Sequence, residues 1–240
     1  MKKFIFVLVF LCFDSFNAEA LTIDFGNISG STSARLIQLI VGIAVVSLAP
    51  AIVMMTTSFT RIIIVFSFLR NALGLQQSPP NVILVSLSLF LSMFIMSNPL
   101  EKAYFEGVKP LIEEKITEEE AFDKISNPIK AFMLNQMKNK DLENFASLSK
   151  IKAKTKYDLP LKVIIPAFMI SEIKKAFQIG FLIFLPFLII DMVISSLLMA
   201  MGMMMLPPVM ISLPFKIIFF VLVDGWTMLS EGLVKSFHFT

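Results

Sequence analysis

Few side chains in this sequence can do chemistry, and most of them lie inside apolar segments. Asp191 sits in FLPFLIIDMVISSLLMAM. A carboxylate facing lipid there would cost several kcal/mol, so it should face a neighbouring subunit, a water-filled space or a basic partner. Ser195, four residues on, shares its helix face. Near the end, Asp224, Glu231 and Lys235 fall close to one face as a polar stripe suited to contacts between helices, and Glu231 with Lys235 makes a favourable four-residue pair. Glu172, Lys174 and Lys175 form a compact cluster that locally reads as a solvated helix end. Arg61 and Arg70 are nine residues apart, about 900° of helical turn, and therefore face opposite ways. With one histidine, His238, and one cysteine, Cys12, no catalytic or metal constellation can be assembled, and no phosphate-binding loop is present. The remaining unusual chemistry is soft. Met199, Met201, Met203, Met204 and Met205 crowd the stretch LLMAMGMMMLPP (197–208), which taken alone reads as slack packing, because flexible thioethers specify a core poorly.

The elements that must position these residues belong in or against a membrane. With 56% apolar residues, 16% charged ones and a mean hydropathy of +0.81, the chain is too apolar for an ordinary soluble domain. The net charge of +3 has no basic cluster interleaved with exposed aromatics, so no nucleic-acid partner is expected. The opening MKKFIFVLVFLCFDSFNAEA has a basic start, ten apolar residues and a small-residue Ala-Glu-Ala site, which predicts a signal peptide over 1–20 cleaved after Ala20. As a helix the apolar run would reach about 15 Å, against roughly 30 Å of hydrocarbon. Cys12 lies within it, so the mature chain would hold no thiol.

Residues 21–35 read as a periplasmic leader, and 36–100 as a first helical hairpin carrying two apolar segments. As one helix, 36–75 would be about 60 Å long, twice a bilayer, so two pieces at an angle are expected, with Pro50 as the kink and Gly74 as the stop. Pro79 and Pro80 close one helix and open the next. Residues 101–165 change character, carrying twelve lysines and no arginine against eleven acids as far as Lys162. Apolar positions Ile125, Ile129, Phe132, Met133 and Met137 recur there at helical spacing. This is a water-exposed helical insertion, which a signal followed by two crossings places on the periplasmic side. Residues 166–240 resume as a second hairpin with two further apolar segments, the final helix running from about Pro214 to Phe237. The fold class is an all-α integral membrane protein of kinked helical hairpins.

Three stretches carry a resemblance: TSFTRIIIVFSFLRNALGLQQSPPN (57–81), PAFMISEIKKAFQIGF (166–181) and PFLIIDMVISSLLMAMGMMMLPP (186–208) are similar to the FliP family of flagellar export components. The resemblance covers nearly the whole mature chain. Val82-Ile83, where the family pattern has a polar Gln, and the lysine-rich insertion depart from it. The resemblance implies a pore-forming subunit of the flagellar type III export gate in the bacterial inner membrane and flagellar basal body. About five copies would assemble into a helical, cone-shaped, closed pore. FliQ and FliR would be partners, together with the FlhB and FlhA export components, membrane lipid and unfolded flagellar substrates.

It also implies that Met199, Met201, Met203, Met204 and Met205 form a gasket at the narrowest point. Soft, uncharged thioethers can close around water and ions and yield to side chains of many shapes. Gly202 would let the loop bend, and Pro207 and Pro208 would fix the start of the next helix. Arg61, Arg70, Glu172, Lys175, Asp191 and Asp224 become buried or intersubunit polar positions. No cofactor, metal or catalytic step is expected. Three other readings stand beside this one. The same gate could serve a virulence injectisome, although the cleavable signal and long insertion favour the flagellar branch. An ion-coupled carrier would use Asp191 and Asp224 and predicts inverted repeats, which the sequence does not display. A purely structural membrane scaffold would tolerate polar replacement of the methionines without leakage.

Overall fold

The computed structural model describes residues 32–149, 151, 155–203 and 205–238 of the 240-residue chain. The expected signal peptide and residues 21–31 of the leader lie outside the described residues. The chain divides into two compact units, Met1–Ser47 and Leu48–Thr240. Of the first, the described part is the opening of helix α1 (Thr32–Thr56), where the Ser47 hydroxyl donates to the Ile43 carbonyl. The end of α1 and every later helix belong to the second unit.

All regular structure among the described residues is helical. The helix does not end at Pro50, the position expected to kink it. Pro50 lies inside α1, and the break falls at Thr57 and Ser58, before α2 (Phe59–Ala72). Hydroxyl groups explain the position. Thr56 donates back to the Ile52 carbonyl, Thr60 donates to the Met54 carbonyl, and Ser58 donates to Ser92 Oγ. Side chains here compete for bonds the backbone ladder would otherwise make, whereas Pro50 removes only one donor.

α2 stops where expected. Gly74 has φ +79°, its N–H donates to the Asn71 carbonyl, and the Leu75 N–H donates to the Arg70 carbonyl. These paired bonds are the Schellman motif, whose left-handed residue is best filled by glycine.

After Pro79 and Pro80, α3 (Asn81–Ile95) is only 15 residues, about 22 Å, and does not by itself span a bilayer as expected of this apolar stretch. It bends by 63° at Met96 into α4 (Ser97–Ala103), a π-helical turn (Tyr104–Val108) and α5 (Lys109–Ile112). α6 (Glu118–Gln136) opens on a capping box between Thr117 and Glu120, with three acids at the positive end of the helix. α7 (Asn139–Ser149) comes next. The insertion is not merely a solvated appendage. Met133, Leu134 and Met137 pack with Leu142 against Ile164, Ala167 and Phe168 of the following helix, so its predicted apolar face is a core of its own.

That following helix, α8 (Leu161–Ala200), runs unbroken through Pro166 and Pro186 for 40 residues, about 60 Å. It packs along α2, and the approach is tightest at Gly180, where a Cβ would stand 2.5 Å from Cδ2 of Phe68. Around this pair Ile62, Val65, Phe66 and Ala176 meet Leu84, Leu233 and Phe237, each fully buried side chain contributing about 1.5–3 kcal/mol.

The last helix does not start near Pro214. α9 (Pro208–Leu222) begins six residues earlier, with Pro208 in its first turn, and breaks by 62° before α10 (Gly225–His238). Asp224 turns the corner at φ +49°. Gly225 then permits close ring packing, since a Cβ there would lie 2.2 Å from the Phe220 ring. Among the described residues, two helices are long and apolar enough to cross a membrane, and up to four spans result if each bent pair counts as one.

Candidate functional site

The methionine-rich stretch forms the connection between α8 and α9. Its start is fixed by the backbone: Met201 caps α8, the Gly202 N–H donates to the Met199 carbonyl, and the Met203 N–H donates to the Leu198 carbonyl. With φ +71° at Gly202, this is a second Schellman motif. Gly202, expected as a hinge, therefore sits in a defined left-handed turn, and nothing approaches within 4 Å of where its Cβ would be. Pro207 caps α9 and Pro208 occupies its first turn. The thioethers of Met199, Met201 and Met203 are exposed, and Met205 is 99% exposed. Met204 lies outside the described residues.

Some 14 Å of helix before the loop, Asp191 meets two residues of α9. Lys216 Nζ donates to Asp191 Oδ2 at 2.7 Å, and Ser212 Oγ donates to Oδ1 at 2.5 Å. Ser212 and Lys216 are four apart and share one face of α9. Lys216 makes a further bond of 3.1 Å to the Ala72 carbonyl, in the last turn of α2, where a cation is favoured by the helix dipole and by the unpaired carbonyls. The lysine is buried and the aspartate half-buried. Of the environments open to Asp191, the one found within the chain is a basic partner.

A second polar cluster lies toward the start of α8. Arg61 grips Glu172 with two bonds, Nε to Oε2 at 2.7 Å and Nη2 to Oε1 at 2.6 Å, while Nη1 donates to Ser236 Oγ at 3.0 Å. The guanidinium carbon lies 3.6 Å from the centre of the Phe237 ring. Such forked, stacked contacts are specific to arginine. Lys175 approaches the same carboxylate at 3.6 Å and donates to the Gln136 carbonyl at the end of α6. Gln136 in turn donates to the Phe237 carbonyl. Four helices, α2, α6, α8 and α10, are thus joined around one carboxylate. Glu172 is completely buried. The reading of Glu172 as a solvated helix end is wrong: the local sequence EIKK looks amphipathic, but α2 covers this turn.

The other charged positions diverge. Arg70 turns away from Arg61 and donates to Asn81 Oδ1 at 2.5 Å, holding the start of α3. Asp224 is not buried and shares no helical stripe with Glu231 and Lys235. It is exposed in the break before α10, where its left-handed conformation interrupts the helix that the stripe would need. Glu231 and Lys235 do pair, at 2.8 Å on an exposed face.

Sequence reasoning misses Lys216, Ser212, Gln136, Ser236 and Phe237 as site residues. For Lys216 a signal exists, since it is a single cation in the apolar helix PVMISLPFKIIFFVL, the same anomaly that marks Asp191. Among the described residues no three His, Cys, Asp or Glu side chains converge as a metal site requires.

The chain as a whole is similar to known proteins. The model of the FliP family matches residues 42–233. The flagellar biosynthetic protein FliP of Caulobacter vibrioides is 54% identical over 221 residues, covering 92% of this chain and 83% of that protein. The protein of the same name from Bacillus subtilis is 52% identical over 84% of this chain and 91% of its own length. That of Aquifex aeolicus is 46% identical over 84% and 86%.

Proposed function

The chain belongs to the FliP family, and on that premise we propose that it is a pore-forming subunit of the flagellar type III protein export gate. It passes unfolded flagellar substrates across the bacterial inner membrane at the flagellar basal body, with no catalytic step of its own. About five copies assemble into a helical, cone-shaped pore. FliQ and FliR complete the gate, with the FlhB and FlhA export components as further partners. The insertion faces the periplasm, and residues 1–20 are the cleaved signal.

The observation that carries this reading is the loop after α8, whose two ends are fixed by a glycine cap and a proline start while Met201, Met203 and Met205 are exposed. A solvent-facing row of apolar side chains on a monomer is unfavourable unless something covers it. Repeated around a ring, the same loops cover one another. The resulting constriction is dry and uncharged, so it opposes ions, and it is deformable, so it admits an unfolded chain. Replacing Met201, Met203, Met204 and Met205 together with Ala should raise ion leakage across membranes containing the assembled complex. Unchanged leakage from an assembled complex would remove the basis for the seal.

The carrier reading draws no support from the two acids it needs. Asp191 is engaged by Lys216 and Ser212, and Asp224 is a corner residue.

A further inference from the structure

We infer that Lys216 is the positioning residue of the methionine loop, acting with Asp191 as a crossbar that sets where the loop stands; the inference rests on the gate reading. The loop has fixed ends, and its described methionines are exposed. Met199, Met201, Met203 and Met205 are all exposed, and the space around Gly202 is open. Its position is therefore dictated by the two helices that carry it.

Those helices are tied at matched depth. Asp191 lies nine residues before the end of α8 and Lys216 eight residues after the start of α9, about 14 and 12 Å of helix from the loop. Because the two arms are nearly equal, a bond at this level fixes both their separation and their relative rotation just below the loop. Apolar packing alone would leave rotation and sliding weakly specified, whereas an ion pair supported by Ser212 has one geometry. The bond from Lys216 to the Ala72 carbonyl adds a third point of attachment, on α2. The last turn of α2 is itself fixed by the Gly74 motif, so the crossbar is anchored to a rigid support. Lysine suits this place because one ammonium can donate to both acceptors at once.

The test compares assembled complexes in lipid vesicles, reading resting ion leakage. Lys216→Met should leak at least about tenfold more than the unaltered complex, as expected when a buried ion pair that favours one of two states is lost. The mature chain has no thiol of its own if Cys12 leaves with the signal, so Asp191→Cys with Lys216→Cys can be bridged by a short bifunctional thiol reagent. That double variant should leak before bridging and seal after it. A tight Lys216→Met complex beside a leaking four-methionine variant would overturn the crossbar and leave the gate standing. A tight four-methionine variant would overturn the gate and the crossbar with it. Should Lys216→Met fail to assemble, equal leakage with and without the bridge overturns the inference.

Discussion

Replacing Glu172 by Gln keeps the size of the side chain but removes the carboxylate that lies between Arg61 and Lys175. The two cations stand 2.6 and 3.6 Å from its oxygens, and Arg61 is 1% exposed. At an effective dielectric of about 20, a pair of unit charges 4 Å apart attracts by about 4 kcal/mol, so two such contacts amount to about 8 kcal/mol before desolvation. The carboxylate and guanidinium lose several kcal/mol of hydration on burial. The net penalty for removing one partner is then about 3–5 kcal/mol. At about 2–4 °C per kcal/mol for a chain of this size, the thermal midpoint should fall by about 6–20 °C.

Thermal denaturation of the detergent-purified complex, followed by circular dichroism, measures this directly. Arg61→Met combined with Glu172→Met should be less damaging than the sum of its single changes, because neither charge is then left buried without the other. A coupling of about 0.5–3 kcal/mol is expected. A midpoint for Glu172→Gln within about 2 °C of the unaltered protein would refute the reasoning, using the same conversion. So would strict additivity of the double change.

Two further outcomes separate backbone from packing effects. Gly202→Ala places a Cβ in open space and should lose only the left-handed preference, about 1–2 kcal/mol, whereas Gly180→Ala drives a methyl into the Phe68 ring and should lose about 1–3 kcal/mol, recovered when Phe68→Leu is added. Thermal midpoints of the singles and the pair check both. Asp224→Asn should leave flagellar export unchanged, since asparagine tolerates φ +49° as well as aspartate does, and motility of cells carrying the variant reads this. Loss of motility with normal assembly would restore Asp224 as a functional acid.

The features legible in the sequence are local ones. The helical periodicity of the insertion, the stop at Gly74 and the turn at Gly202 each depend on residues within one or two turns, and glycine announces a left-handed position by itself. The breaks at Thr57 and Asp224 are harder to read, because Pro50 draws attention as a kink and Pro214 as a helix start, while the helix runs through both. The ion pairs are hardest. Glu172 finds its partner 111 residues earlier and Asp191 finds one 25 residues later, and neither distance leaves a mark on the neighbouring sequence. What the sequence does carry is the anomaly of isolated charges in apolar helices, and Lys216 displays it as clearly as Asp191.

α8 carries both charged clusters on one uninterrupted rod, and this makes its length a phase constraint. Glu172 and Asp191 are nineteen residues apart, a rise of about 28 Å and five turns plus roughly 100°. Each carboxylate must point at a partner held on a different helix, so the two bearings are set together. One residue inserted between them would swing one cluster by about 100° relative to the other while moving it only about 1.5 Å along the axis. Seven residues would restore the bearing to within about 20° but shift the cluster by roughly 10 Å. The number of residues between these two acids can therefore hardly vary, and the register of the rod is transmitted to wherever its end delivers the loop.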